Sequence, residues 1–220
     1  MNWIVACGLK READLIRRSG AFHIVVGGGD SARLEAELDD MAEMFPAVIL
    51  SSGIAGALDP ALKVGDVVLD GDSTAVEKLR AILPEAVVGA VAGRDVMTPT
   101  VAGKRALRAE TGALAVDMES HVAARVAARR GLPFAVVRVI SDSADEALPP
   151  AAQIGMKPDG SVALGAVLAS LARNPAQLPA LIRTGRHAGL AFRTLGRVHH
   201  ALGRGGVFGL DLGEFALDVA

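Results

Sequence analysis

The stretch Ala115–Asp145, AVDMESHVAARVAARRGLPFAVVRVISDSAD, decides how this chain folds. A short apolar entry leads into an acidic pair around Met118. The spacing then predicts a helix over about Ser120–Arg130, stopped by Gly131 with Pro133 beyond. Phe134–Ile140 follows as an apolar run broken only by Arg138. Runs without alternation belong to strands covered on both faces. Ser141-Asp142 stands where that strand ends. The stretch therefore sets two kinds of carboxylate about one helix and one strand apart, at the edge of a sheet. Such a pair suits a site that holds a polyol and protonates a leaving group.

Upstream, the same alternation recurs. Trp3–Cys7, His23–Val26, Ala47–Leu50, Val64–Leu69 and Ala86–Ala92 read as strands. Helices are expected over Arg11–Arg18, from Asp30 or Ser31 to a stop at Pro46, over Thr74–Ile82, and from a Thr98-Pro99 start to about Thr111. Strands alternating with helices predict an α/β fold, three layers with a mixed central sheet. Past Pro149-Pro150 the character changes. Ser161–Leu171 reads as a helix rich in alanine and leucine, Asn174-Pro175 breaks it, and Leu178–Leu202 carries arginines and histidines among leucines and alanines. We therefore expect a catalytic domain over residues 1–173 and a basic amphipathic extension over 174–220.

Composition bounds the rest. With 51% apolar residues, 3% aromatics and no tyrosine, the core must be built from Ala, Val, Leu and Ile. A net charge of −2 gives no electrostatic reason to invoke nucleic acid. The single cysteine, Cys7, excludes an internal disulfide and reads as a buried thiol in a reducing compartment. No secretory signal and no membrane-length apolar run is visible, so a cytoplasmic location is expected. The five histidines lack metal-ligand spacing, and no metal is expected; His199-His200 reads as tail polarity. Gly27-Gly28-Gly29 lacks the dinucleotide fingerprint.

Four segments follow strands: Gly8–Glu12, Ser51–Gly56, Asp117–Glu119 and Ser141-Asp142. In open α/β sheets ligands bind beyond the carboxyl ends of the strands. Each segment also has a plain structural reading. Glu12 and Glu119 can serve helix starts, Gly53–Gly56 can be a packing turn, Asp142 can be a cap or turn residue, and Arg138 can be a structural ion pair.

Val116-Asp117-Met118-Glu119, with Arg138-Val139-Ile140-Ser141-Asp142 and Ala144-Asp145, resembles the signature of the purine nucleoside phosphorylase / methylthioadenosine nucleosidase superfamily. Glu12, the loop Ser51–Gly56 and Leu62–Val68 match it in the same order, so the resemblance covers roughly residues 1–150. It implies an enzyme that cleaves an N-glycosidic bond through a ribosyl cation. Asp142 would protonate or hydrogen-bond N7 of the base, with a pKa raised by burial, and Ser141 would orient it. Glu119 would hold the ribose hydroxyls, Met118 would floor the sugar, and Glu12 would activate water in the nucleosidases. Ser52, Gly53 and Arg138 are further candidates for substrate contacts. For phosphate as a co-substrate, Gly28, Arg33 and Ser51 are the candidates, although Ile54 stands where the family has a serine. No other cofactor is implied. A homo-oligomer is usual in such a family.

Two segments are short compared with the small-nucleoside enzymes: the one before His23 and the one between Asp70 and Asp95. An active site open at the nucleoside's 5′ side follows. With a basic tail able to lie on an anionic inner-membrane surface, the chain resembles the hopanoid-associated phosphorylases, which release adenine from adenosylhopane. The expected reaction is phosphorolysis of that lipid-linked adenine nucleoside. The alternatives are a hydrolytic methylthioadenosine/S-adenosylhomocysteine nucleosidase and a nucleoside-binding protein without catalysis.

Overall fold

The computed structural model describes residues 2–21, 23–44, 47–154, 161 and 163–208. The described strands are β1 (Asn2–Cys7), β2 (His23–Val26), β3 (Ala47–Ala57), β4 (Val67–Gly71), β5 (Val87–Val88), β6 (Val91–Gly93), β7 (Ala115–Asp117) and β8 (Phe134–Asp142). The helices are α1 (Lys10–Arg17), α2 (Ser31–Met44), α3 (Ser73–Ile82), α4 (Val101–Thr111), α5 (Ser120–Arg130), α6 (Pro150–Gln153), α7 (Leu164–Arg173) and α8 (Leu178–Arg204).

One mixed sheet runs in the order β2-β1-β3-β8-β4-β5. β2, β1, β3 and β8 are parallel, β4 is antiparallel to β8, and β7 pairs antiparallel with the end of β3 and parallel with β6. Successive strand residues point to opposite faces, and the core divides accordingly. Val5, Cys7, Leu50 and Val137 pack under α1, α3 and α8; Ile4, Ala6 and Ile49 pack under α2 and α5. The result is the expected three-layer α/β/α arrangement with a mixed central sheet.

Three expectations need correction. Ser51–Gly56 is not a loop: β3 continues to Ala57, because Ser, Gly and Ala are small enough to lie between two packed layers beside β8. Helix α4 is capped by Thr100, whose side chain accepts from the Gly103 amide, and not by Thr98. The boundary at 173/174 does not separate two cores. Ala191, Leu195, Val198 and Leu202 of α8 are buried against the sheet at helical spacing, and α8 forms part of the outer layer. Pro46 and residues 209–220 lie outside the described residues.

No helix among the described residues is long and apolar enough to cross a membrane. Cys7 is buried, as expected, and burial, with the charges of Glu12 and Glu119, pushes its thiol well up.

Candidate active site

A cavity of about 450 Å³ opens where β1, β3, β7 and β8 end. Glu12 reaches it from the first turn of α1. Its Oε2 accepts from the amides of Gly8 (2.9 Å) and Leu9 (2.8 Å), and its Oε1 from the Ile54 amide (2.8 Å). Glu12 therefore also serves the helix start, as the plain reading held. The same bonds fix its carboxylate in the wall of the cavity. Burial raises its pKa, against the pull of Arg138 and the three amides.

Glu119 stands near Glu12, at the start of α5, and its side chain does not cap that helix. Asp117 does: its Oδ2 accepts from the Ser120 amide (3.0 Å) and its Oδ1 from the Ser120 hydroxyl (2.5 Å). Glu119 is thereby left for the cavity. Burial pushes its pKa up to about 8, with Asp117 and Glu12 adding to the rise and Arg138 opposing it. Gly8 is what lets it sit there, because a Cβ at that position would lie 2.4 Å from Glu119 Oε1.

Arg138 is fully buried behind these acids and does not line the cavity. It is ion-paired with Asp117, lies 3.3 Å from Glu119 Oε2, and donates to Ser51 Oγ at 2.6 Å. The structural reading of Arg138 is the observed one, and a direct substrate contact is not available to it. Gly53 is likewise not in the cavity wall. A Cβ there would lie 2.6 Å from both Arg138 Nη1 and Glu12 Oε1, so its role is to make room for them.

Asp142 lines the cavity from the end of β8, with Ser141 and Met118. The Ser141 Oγ lies 2.9 Å from Asp142 Oδ1 and 3.1 Å from the Ala55 carbonyl oxygen, so its one proton has two acceptors within reach. Asp142 is not an isolated buried carboxyl: Lys104 of α4 donates to its Oδ2 at 2.5 Å. The sequence did not point to this lysine, since a lone lysine on a helix is ordinarily solvated.

The phosphate candidates do not gather at this cavity. The Gly28 amide donates to the Gly8 carbonyl (3.0 Å), and Arg33 donates to the carbonyls of Val26 (2.9 Å) and Gly27 (2.8 Å). Ser51 is held by Arg138, and Ser52 Oγ is 2.7 Å from His199 Nε2. Both serines are buried and neither lines the cavity. His199 is accordingly not tail polarity. It is buried on the inner face of α8, and burial lowers its pKa to about 3.

The wall facing the carboxylates is apolar and comes from segments the sequence reading had left out of the site. Leu148, Ala151, Val167, Leu181 and Phe192 supply it from α6, α7, α8 and the preceding loop. Val96, Met97 and Thr98, ahead of α4, complete the rim.

A strand-end site with paired acids, on this sheet order, invites comparison with known proteins. Residues 70–174 match the phosphorylase superfamily. That superfamily segment contains Lys104, Glu119, Arg138 and Asp142 but not Glu12. The 5′-methylthioadenosine/S-adenosylhomocysteine nucleosidase of Staphylococcus aureus is 30% identical over 133 residues. The match takes in 46% of this chain and 58% of that protein, so the chain spans little more than half the length of this curated relative. Among solved structures, the Neisseria meningitidis nucleosidase of the same name, in complex with methylthio-immucillin-A, superposes with a TM-score of 0.63 at 17% identity, covering 91% of this chain and 99% of that one. A Helicobacter pylori nucleosidase mutant with 5′-methylthioadenosine in its active site gives a TM-score of 0.62 at 16% identity, covering 90% and 97%. At such identities these two structures establish the shared fold.

Proposed function

We propose that this site cleaves the N-glycosidic bond of an adenine nucleoside by hydrolysis and releases adenine. The observation that carries this reading is that Glu12, Glu119 and Asp142 face one cavity from three different strand ends. The named activity of the Staphylococcus aureus relative supports the same reaction class.

The C1′–N9 bond breaks with its electron pair passing to the purine, and positive charge is left on the ribose. Asp142 meets the base at N7, where a hydrogen bond or proton offsets the electrons arriving there. Ionised Glu119 accepts from the ribose hydroxyls and sets a negative charge beside the cation, in a site partly shielded from water. Glu12 takes the proton of the attacking water. Met118 packs against the sugar.

Water is preferred to phosphate because the candidate anion-holding groups have protein partners, and Arg11, which lines the cavity, lies over the Phe192 ring (4.2 Å to the centroid). The Gly28 amide, Arg33, Ser51 and Ser52 all have protein partners. The apolar wall favours an apolar 5′ substituent. A methylthio group and, in the finer reading, the pentacyclic lipid of adenosylhopane are both apolar substituents of that kind.

The test is chromatographic assay of adenine released from 5′-methylthioadenosine, S-adenosylhomocysteine and adenosylhopane, with and without phosphate. Release that is independent of phosphate is expected. Absolute dependence on phosphate overturns the hydrolytic reading, and binding without release from any of the three overturns catalysis.

The acid–base state of Glu119 gives a second expectation. Its folded-state pKa lies near 8, so at lower pH it is protonated and lacks the charge that favours the cation. The kcat/KM for adenine release should therefore rise with pH, about tenfold per unit on the acid limb, and level off above about pH 8. A flat profile between about pH 6 and 9 would exclude this role for Glu119.

A further inference from the structure

Helix α4 buries only Lys104 and Leu107, and Lys104 is completely covered. A lysine removed from water is strongly unfavourable unless its charge is paired and its donors are used. An ammonium has three donors. Here they meet Asp142 Oδ2 at 2.5 Å, the Ser143 carbonyl at 2.6 Å and the Glu146 carbonyl at 3.0 Å. All three acceptors belong to the turn in which β8 ends. That turn is held again from its other side, where the Glu146 carboxylate meets Arg183 Nε (3.0 Å) and His187 Nδ1 (3.3 Å) of α8. The Leu148 amide also donates to the Pro99 carbonyl (2.9 Å), just ahead of α4.

We propose that Lys104 is a positioning residue for Asp142, fixing the carboxylate and the turn behind it so that one orientation is offered to the departing base. Lys104 holds Oδ2 and the Ser141 hydroxyl stands 2.9 Å from Oδ1, so rotation of the carboxylate would break the Lys104 bond and lose the Ser141 contact. Lys104 acts only through Asp142. The inference rests on the reading of Asp142 as the base-side group.

The experiment is a double-mutant cycle in the full chain, with Lys104→Met, Asp142→Asn and both together, assayed on 5′-methylthioadenosine. Lys104→Met should lower kcat about 10²-fold, the scale of a misplacement by about 1 Å, and leave KM within about threefold. Added to Asp142→Asn, it should cost less than about threefold more. Wild-type kcat in Lys104→Met overturns the proposal, and so does the same large loss in both backgrounds, which is what a purely structural lysine predicts. Lys104→Arg keeps a charge and its donors and should recover at least about tenfold over Lys104→Met; an equal loss also counts against the proposal. Adenine binding by calorimetry in the same proteins gives the cycle without turnover. A wild-type chain that binds adenine but releases none would therefore overturn the proposed reaction while leaving the Lys104–Asp142 coupling measurable.

Discussion

Adenine release by the Asp142→Asn protein is expected to fall about 10²–10⁴-fold, the range for losing a positioned general acid. Asn has nearly the shape of Asp, so β8 and the cavity should be retained. What is lost is the carboxyl that meets the base at N7, together with the partner of Lys104. The loss should appear in kcat more than in KM, because the electrons that Asp142 meets reach the base only as the bond breaks. Initial rates of adenine formation from 5′-methylthioadenosine, with a thermal melt to verify folding, measure it. Unchanged release would remove Asp142 from the chemistry. A loss confined to KM would make it a binding group only.

The part of this site that the sequence made legible is the part that terminates strands. Asp142 stands just past Phe134–Ile140, a run apolar except for Arg138, Glu119 precedes a helix with a clear glycine stop, and Glu12 opens the first helix; in each case local pattern and end of element coincide. The residues misread are those whose role depends on a partner far along the chain. Ser51 and Ser52 look like loop residues until β3 is seen to continue beside β8, where they meet Arg138 and His199. Lys104 is one of several cations on a polar helix, and nothing within α4 marks it as the one that turns inward.

Helix α8 is the instructive middle case. Its arginines among leucines and alanines suggested a basic amphipathic extension able to lie on an anionic membrane surface, yet Ala191, Leu195, Val198 and Leu202 of its apolar face are buried against the sheet. The charge pattern described the outer face correctly. The apolar pattern marks the inner face, and what covers that face is set by contacts distant in sequence. The same helix supplies Leu181 and Phe192 to the cavity wall, so a segment placed outside the catalytic domain helps to form the cavity.

Arg138→Met is expected to destabilise the protein by about 3–5 kcal/mol at neutral pH, the cost of removing one partner from a buried charge cluster. Arg138 is the only cation in contact with Asp117 and Glu119 among the described residues, and both acids are buried with it. Met fills much of the same volume, so the cost is electrostatic rather than that of a cavity. For a domain of this size the corresponding drop in melting temperature is about 6–20 °C. The pH dependence has a definite sign. Burial already raises Glu12 and Glu119 above their ordinary range, and the Arg138 charge opposes that rise. Without Arg138 their folded-state values rise further. A carboxyl whose folded pKa exceeds its unfolded value loses stability as pH rises above the unfolded value, because the unfolded chain releases the proton first. The penalty should therefore grow as pH rises from about 5 toward about 8. Urea midpoints for wild type and Arg138→Met at the two pH values, with unchanged slopes, provide the comparison. A penalty under about 1 kcal/mol at pH 8, or one that shrinks as pH rises, would mean that the acids are neutralised by something other than this arginine.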